Sequence, residues 1–376
     1  MNIPLSKPWI TEEDLKEIEK VLITPNLSLG PKLTEFENML AEVAGRRFAV
    51  AVNSGTSALH LIIRSLGIKD GDEVITTPFS FIASSNCILF EKAKPVFVDI
   101  DPKTYNINPE LIEEEITERT KAILAVDVFG QPADWDRLNE IARKYNLLLI
   151  EDSAESIGSQ YKGKPAGSFG VASVFAFYPN KQITTGEGGV VLTNNEEIFK
   201  LSRSMRNQGR GEDEDWLNHV RLGFNYRISD INCALGVSQL KRLNEIIEMR
   251  NRVAKLYSEK LSEIEEVAVP YISPDTTKMS WFVYVIRLSD KFTEKDRDLI
   301  IENLERRGIQ TRKYFEPIHL QPFYREQFGY KRGDFPTTEF VSDRLIALPF
   351  YTIMTVEEVN FVVRNIKEAI LEVKKA

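Results

Sequence analysis

The sequence contains few of the residue types on which disulfide-rich and metal-binding proteins depend. Only two of its 376 residues are cysteines and three are histidines, and none of them has the spacing of a metal site. Cys87 and Cys233 both stand in apolar helical patterns, where a free thiol behaves as a small core side chain. We therefore expect core thiols in a reducing compartment, no disulfide and no bound metal.

Long hydrophobic runs and an excess of basic residues are also lacking. No apolar run approaches the ~18 residues of a membrane span, and residues 1–7 have no apolar signal-peptide stretch. The formal net charge of -8 argues against a general nucleic-acid or membrane-surface role. These absences favour a cytoplasmic protein with neither nucleic acid nor membrane as a partner.

The sequence does contain a regular alternation of short apolar segments with helical ones. Seven segments have the β-branched, near-continuous apolar character of buried strands: residues 48–52, 73–77, 95–99, 121–126, 147–150, 173–177 and 189–193. Strands that are apolar on both faces are typical of a mostly parallel sheet between helices. The sequence therefore predicts an α/β fold with a seven-stranded sheet, and function is expected at the carboxyl ends of its strands.

A long helical stretch over residues 228–261 predicts the connection to a second, smaller domain. The segments beyond it that indicate a mixed α+β unit are a strand at residues 280–287 and helices at residues 294–307 and 355–373. We predict a large domain over residues 1–250, whose N-terminal segment contributes to the functional site, and a small C-terminal domain over residues 251–376.

One candidate phosphate site follows the first predicted strand, in the segment Asn-Ser-Gly-Thr-Ser-Ala-Leu at residues 53–59. Gly55 permits a tight turn, and Thr56 and Ser57 open a helix whose amides and positive dipole end attract a phosphate. The same residues are equally typical of ordinary helix capping between a strand and a helix.

Two ionisable residues stand where other strands end. Asp152 follows the strand at residues 147–150, where an unpaired carboxylate is unfavourable unless it has a partner, and Lys181 follows the strand at residues 173–177. Asp152 has a shorter and more rigidly placed side chain than the adjacent Glu151, which makes it the better candidate of the two acids. Taken alone, Asp152 is also consistent with a helix cap or a structural ion pair.

An aromatic side chain, Phe81, follows the strand at residues 73–77, where its ring can stack on a flat heterocycle or pack in the core. A phosphate cradle, a stacking ring, a carboxylate that keeps a ring nitrogen protonated and a lysine amine are together what pyridoxal phosphate (PLP) requires. The four features occur in the order 55, 80, 150 and 180 along the chain.

This order resembles the aspartate-aminotransferase-like, fold-type I arrangement of PLP enzymes, and more narrowly the DegT-type nucleotide-sugar aminotransferases. The matching stretches are residues 28–37, 53–59, 77–84, 150–155, 177–189, 223–229, 316–319 and 347–349. The resemblance covers essentially the whole chain. It implies a large domain with a mostly parallel seven-stranded sheet, a smaller α+β domain and bound PLP.

The resemblance also assigns roles to residues. Those assigned to cofactor binding are Gly55, Thr56, Ser57, Phe81, Asp152, Glu155, Lys181 and, from the neighbouring subunit, Asn225. Lys181 matches the Schiff-base lysine and Asp152 the partner of the pyridinium nitrogen, which makes these two the catalytic residues. Glu155 stands where the family often has Gln or His, near the ring hydroxyl of the cofactor.

Assembly and substrate follow from the same resemblance. Asn225 matches an asparagine that reaches a neighbour's cofactor phosphate, which implies a homodimer with shared sites. Arg227 and His319 fall where the family's substrate pocket is lined. The sequence departs from the family at Ala176, where a serine is common, so phosphate binding should depend more on the helix amides and Asn225.

The activity that the resemblance implies is transfer of an amino group from an amino acid, usually glutamate, to a nucleotide-linked keto-sugar by a ping-pong mechanism. The loop Thr-Thr-Gly-Glu-Gly-Gly at residues 184–189 looks more like that of enzymes acting at sugar C4 than at C3. Lys181 speaks against the related sugar dehydratases, which need a histidine there. The alternatives are a PLP enzyme of other specificity, such as amino-acid or cyclitol transamination or lyase chemistry, and a non-catalytic regulator that has kept the fold.

The remaining charged residues give less definite expectations. Five arginines could neutralise a diphosphate or be scattered on the surface: Arg203, Arg206, Arg210, Arg221 and Arg227. His60, on an apolar helix, is expected to be structural, whereas His219 is open between a structural and a functional role. The acidic run at residues 212–215 is expected to be a solvated loop and not a metal site.

Overall fold

The computed structural model describes residues 1–211 and 217–375; the acidic run at residues 212–215 lies outside them. The helices in this part of the chain are α1 (Glu12–Leu22), α2 (Pro31–Ala44), α3 (Gly55–Ser65), α4 (Ala83–Phe90), α5 (Trp135–Lys144), α6 (Glu196–Arg206), α7 (Asp230–Lys241), α8 (Leu243–Leu261), α9 (Glu294–Arg306), α10 (Pro322–Phe328), α11 (Pro336–Ser342) and α12 (Val356–Lys375).

The strands are β1 (Phe48–Val52), β2 (Glu73–Thr76), β3 (Lys94–Phe97), β4 (Thr120–Val126), β5 (Leu148–Asp152), β6 (Gln160–Tyr161), β7 (Lys164–Pro165), β8 (Ala172–Ala176), β9 (Gly189–Thr193), β10 (Val267–Ala268), β11 (Thr276–Lys278), β12 (Tyr284–Leu288) and β13 (Leu345–Leu348).

A seven-stranded sheet with the order β1-β9-β8-β5-β4-β2-β3 forms the centre of the larger part of the molecule. The pairs from β3 to β8 are parallel, whereas β9 runs antiparallel to both β8 and β1. The predicted seven-stranded, mostly parallel sheet is therefore confirmed, with one reversed strand. The carboxyl ends of β5 and β8 lie at the same edge because the two strands are parallel neighbours.

Helices cover both faces of this sheet, which explains its near-continuous apolar strands. In β4, Leu124 packs in the cluster that contains Leu59 of α3, while its neighbour Ile123 packs on the other face with Trp135 of α5. Both thiols are free and buried in these layers, as expected. No helix within the described residues is long and apolar enough to cross a membrane.

A second core lies around the antiparallel sheet β10-β12-β13, against which α8, α9 and α12 pack. The predicted helix over residues 228–261 is two helices, separated at Arg242, which has non-helical φ and ψ angles of -108° and 10°. Helix α8 joins the two cores: Ile246 packs with the large sheet and Tyr257 with the small one. Residue 250 thus lies within a helix, and the division at that residue stays a prediction.

The N-terminal segment crosses to the second core. Ile3 is fully buried there, and its amide donates a hydrogen bond of 2.8 Å to the carbonyl of Gly308. The chain therefore contributes its first residues to the smaller part of the molecule and not only to the larger one, because this apolar side chain completes a core built mainly from residues beyond 250.

Candidate active site

The turn between β1 and α3 presents unpaired donors at the helix N-terminus. Ser54 caps the helix by accepting a hydrogen bond of 3.1 Å from the Ser57 amide, and its carbonyl accepts from Ala58. The amides of Gly55 and Thr56 precede the first intrahelical bond and have no acceptor in the helix. The Ser57 hydroxyl lies 2.7 Å from Asn53 Oδ1. Capping and an anion cradle therefore coexist in this turn.

Close packing holds this turn against two strands of the sheet. A Cβ atom on Gly55 would lie 2.8 Å from the Ala176 Cβ at the end of β8, and one on Gly189 would lie 2.4 Å from the Ser54 carbonyl oxygen. Only glycine permits these approaches without displacement of the neighbours. The turn is thus fixed beside the strand whose continuation carries Lys181.

Asp152 is the last residue of β5 and is buried, with 3 % of its surface exposed. Its Oδ2 accepts from the Ser84 hydroxyl at 2.7 Å and its Oδ1 from the Ala154 amide at 3.2 Å. Burial raises the pKa of this carboxyl, whereas the two hydrogen bonds and the charge of Lys181 lower it. Ser84 was not predicted as a site residue, although it lies in the matching stretch at residues 77–84.

Lys181 follows β8 on a short loop, and its side chain is 12 % exposed. The Nζ atom lies 3.4 Å from Glu155 Oε1 and 3.9 Å from the ring centre of Phe282. Glu155 Oε2 accepts a hydrogen bond of 3.0 Å from the Phe129 amide. Burial raises the pKa of Glu155, and the nearby ammonium group of Lys181 lowers it. The structure therefore brings Asp152, Glu155 and Lys181 into one site.

Phe282 was not anticipated as a site residue, because residues 280–287 were predicted to form a strand. The strand β12 begins only at Tyr284, and Phe282 belongs to the irregular segment before it. The hydrophobic periodicity of the sequence does not reveal the contact between Phe282 and Lys181, because this contact depends on how the segment packs against another part of the chain.

Two of the predicted cofactor residues lie at the surface of this single chain. Phe81, between β2 and α4, is 61 % exposed. Asn225 is exposed as well and forms an isolated antiparallel bridge with Asn207. Stacking on the cofactor by Phe81 and a cross-subunit contact by Asn225 remain predictions.

The expected arginine cluster is assembled only in part. Arg227 donates a hydrogen bond of 2.9 Å to Asn207 Oδ1, and burial together with the charges of Arg210 and Arg206 lowers its pKa. Arg206 is buried and donates to Glu37 and to the Ala51 carbonyl. Its charge is therefore used within the fold. Arg227 is half-buried and follows Asn225 by two residues.

His319 lies in the interior of this single chain. Its ring has no exposed surface, and Nε2 lies 3.0 Å from Glu339 Oε1. It also packs against Phe335 at a ring-centre distance of 4.7 Å. The other ring nitrogen, Nδ1, is buried and has no hydrogen-bond partner within the described residues. The substrate contact expected for His319 stays a prediction.

The other two histidines differ from each other. His60 is buried and bonded to the Tyr226 hydroxyl at 2.9 Å and to Glu91 at 2.8 Å, which agrees with the structural role expected for it. His219 is exposed, and its Nδ1 lies 3.0 Å from the Gln208 carbonyl.

The comparisons with known proteins agree with this geometry. Residues 8–367 match the model of the DegT/DnrJ/EryC1/StrS aminotransferase family. The GDP-perosamine synthase of Caulobacter vibrioides is 40 % identical over 298 residues, which cover 79 % of this chain and 80 % of that protein.

Two solved structures superimpose over nearly the whole chain. The Helicobacter pylori aminotransferase PseC, involved in pseudoaminic acid biosynthesis, has a TM-score of 0.93 and 31 % identity and covers 99 % of this chain and 100 % of its own. The PLP form of the putative sugar aminotransferase Spr1654 from Streptococcus pneumoniae has a TM-score of 0.94 and 29 % identity, with the same coverage. The chain belongs to the DegT/DnrJ/EryC1/StrS aminotransferase family and is a PLP-dependent aminotransferase of fold type I.

Proposed function

We propose that this aminotransferase transfers an amino group from glutamate to the C4 keto group of a nucleotide-linked sugar by a ping-pong mechanism. The observation that carries the proposal is the convergence of Lys181, Asp152 and the unpaired N-terminus of α3 at one edge of the sheet. Similarity to a GDP-perosamine synthase supports the sugar substrate, and the loop at residues 184–189 supports C4.

The residues present fit PLP. The Thr56 hydroxyl has no hydrogen-bond partner within residues 1–211 and 217–375, and with the free amides of the first turn of α3 it suits a phosphate group. Asp152 is a buried carboxylate without an ion-pair partner within 4 Å in the described residues, which is typical of a group that binds a cationic ligand. Ala176 leaves the cradle without a further hydroxyl from β8.

Each residue then has a chemical task. Bound PLP supplies an aldehyde carbon for bonding to amines and a ring that accepts electrons while its nitrogen is protonated. Asp152 holds the proton on that nitrogen, and Ser84 fixes the orientation of the carboxylate. Lys181 would hold the cofactor covalently through Nζ, and the freed Nζ atom would remove the α-proton of the amino donor as a general base and deliver it to the aldehyde-derived carbon of the cofactor.

Glu155 has a supporting task. Its carboxylate is tied to the Phe129 amide through one oxygen and faces the Lys181 amine through the other. It therefore positions the amine and stabilises its positive charge while the lysine holds a proton.

We also propose that the enzyme works as a homodimer with shared sites. Asn225 is exposed near three apolar side chains, Leu217, Val220 and Leu222, which are 79 %, 53 % and 70 % exposed. Exposed apolar side chains in one segment are typical of a subunit contact. Replacing Asn225 with Ala should weaken cofactor retention about 10-fold, by loss of one phosphate hydrogen bond to a charged group. Unchanged cofactor affinity in an intact dimer contradicts the shared site.

The activity is tested with a panel of GDP-, UDP- and dTDP-linked 4-keto and 3-keto sugars with glutamate, and the products are analysed by mass spectrometry. An aminated 4-keto sugar is the expected product. Turnover of amino acids or cyclitols, but of none of the sugars, supports the alternative that the enzyme is an amino-acid or cyclitol aminotransferase. The alternative of a non-catalytic regulator does not apply, because the chain belongs to an aminotransferase family.

A further inference from the structure

A short segment before β12, Ser280–Phe282, connects the smaller part of the molecule to the site. Gln182, the residue after Lys181, donates through Nε2 to the Ser280 carbonyl at 3.0 Å and to the Glu155 carbonyl at 2.6 Å. The Ser280 amide donates to Ser159 Oγ at 2.8 Å. One amide side chain thus bonds at once to the backbone of Glu155 and to the backbone of this segment.

Two further contacts fix the segment. A Cβ atom on Gly130 would lie 2.3 Å from the Ser280 carbonyl oxygen, so the two backbones are in direct contact. Arg250 of α8 is 2 % exposed and donates to the Trp281 and Phe282 carbonyls, both at 2.7 Å. Burial lowers the pKa of Arg250 to about 9. A buried cation is unfavourable unless it is well bonded, and here the two carbonyls are its strongest partners.

These contacts place the ring of Phe282 at the reacting amine. The ring is 3 % exposed, and its centre lies 3.9 Å from Lys181 Nζ, within the range of a cation–π contact. The Glu155 carboxylate lies 3.4 Å from the same atom. The amine is therefore held between an aromatic face and a carboxylate.

We propose that Phe282 is a further active-site residue that holds the Lys181 amine, together with Glu155, whenever the lysine is not bound to the cofactor, and that Gln182 is the positioning residue that joins these two holders. The proposal rests on the assignment of Lys181 under the proposed function. It makes the segment Ser280–Phe282 a route by which the smaller part of the molecule acts on the reacting amine.

The test uses the cofactor-free full-length protein, so that neither PLP nor a sugar is involved. Trace acetylation with acetic anhydride at fixed pH, followed by peptide mass spectrometry, gives the reactivity of Lys181 relative to Lys255, which is 79 % exposed. Phe282→Met and Phe282→Leu keep an apolar side chain of somewhat smaller volume but lose the ring, and Lys181 should react about 5-fold faster because its amine is no longer held against the ring face. Phe282→Tyr keeps the ring face and should react as the unchanged protein does.

Gln182→Met removes both donors at similar length and should give the same acceleration as the loss of the ring. Two matched controls make the same changes far from the amine. Phe292→Leu alters a Phe that is 4 % exposed in the second core, and Gln239→Met alters a buried Gln bonded to the Trp9 carbonyl and to Asp14. Neither control should change the Lys181 rate.

Wild-type reactivity of Lys181 in folded Phe282→Met and Phe282→Leu proteins, with folding checked by thermal melting, overturns the proposal for the ring. Wild-type reactivity in Gln182→Met overturns the positioning role, and acceleration in either control shows a general loosening instead of a specific contact. Any of these results leaves the sugar panel unaffected, because that panel measures transamination by the unchanged enzyme.

Discussion

Glu151 and Asp152 are neighbours at the end of β5, but they point to opposite faces of the sheet and have different partners. The oxygens of Glu151 accept from the amides of Gly167 and Phe169 at 2.6 and 2.8 Å. Asp152 accepts from a hydroxyl and one amide, and it lies within electrostatic reach of Lys181. On one face of the sheet, the Glu151 carboxylate is bonded to two backbone amides of a turn. On the other face, the Asp152 carboxylate remains available for a cationic ring.

The difference teaches that burial alone does not identify a site residue. Both carboxylates are buried, and burial raises both pKa values, that of Glu151 to about 7. What separates them is whether the surrounding backbone already satisfies the charge. Substitutions on the two faces should therefore differ in whether they affect turnover or stability.

Replacing Lys181 with Ala should abolish transamination at the site on the Asp152 face of the sheet. Turnover in the glutamate assay should fall by about 10⁴-fold or more, because no other amine in the site holds the cofactor or moves the proton. Lys255→Ala, an exposed change on α8, serves as the control and should be fully active. Substantial turnover by the Lys181→Ala protein would remove this lysine from its role.

Replacing Asp152 with Asn should lower turnover by about 10²–10³-fold, because a neutral amide does not stabilise a protonated ring nitrogen. Stability should change little in the cofactor-free protein, since the amide oxygen can still accept from the Ala154 amide while the amide nitrogen donates to the Ser84 hydroxyl. Steady-state kinetics and thermal melting of the same preparation give both quantities. Full activity with an intact fold contradicts the assignment of Asp152.

Replacing Glu151 with Gln should give the opposite result and is the matched control on the other face. One of the two amides, Gly167 or Phe169, loses its acceptor, and the free energy of unfolding should fall by about 1–3 kcal/mol. Turnover should stay within about 2-fold of the wild-type rate, because the side chain does not face the site. Urea unfolding and the sugar assay test the two parts. A large loss of turnover without a loss of stability contradicts the separation of the two faces.

The pH dependence of stability should show the most gradual effect. The pKa of Glu151 rises from 4.5 to about 7 on folding. Between these two values the folded protein keeps a proton that the unfolded chain has released, so the stabilising contribution is complete below 4.5 and is lost as the pH rises through 7. The unchanged protein should therefore lose about 3 kcal/mol more than Glu151→Gln over this window. Parallel pH profiles of the two proteins contradict this titration.

Much of the fold could be predicted from the sequence because local patterns decide it. The near-continuous apolar segments gave seven strands and a sheet covered on both faces, and the two thiols were placed in the core. The reversal of β9 could not be read from the pattern, since a buried strand looks the same in either direction. The break at Arg242 was also missed, because helical periodicity continues across it.

The candidate site was predictable to the extent that it depends on strand ends. Lys181, Asp152 and the turn at Gly55 were found in this way, and the structure brings them together. The full burial of the His319 ring was not foreseen, because a matched segment does not show which way a ring points. Phe282 was missed because the contact with Lys181 depends on Gln182 and Arg250, which lie 100 and 32 residues away from it along the chain.

The sequence by itself determined where strands end and which ionisable residues follow them, because side-chain chemistry and hydrophobic period are local properties. Only the tertiary structure decided which neighbours satisfy each charge. Burial and hydrogen bonding depend on segments that are distant in the chain. They tie Glu151 to the backbone amides of Gly167 and Phe169, place His319 beside Glu339 and bring the Phe282 ring next to the Lys181 amine.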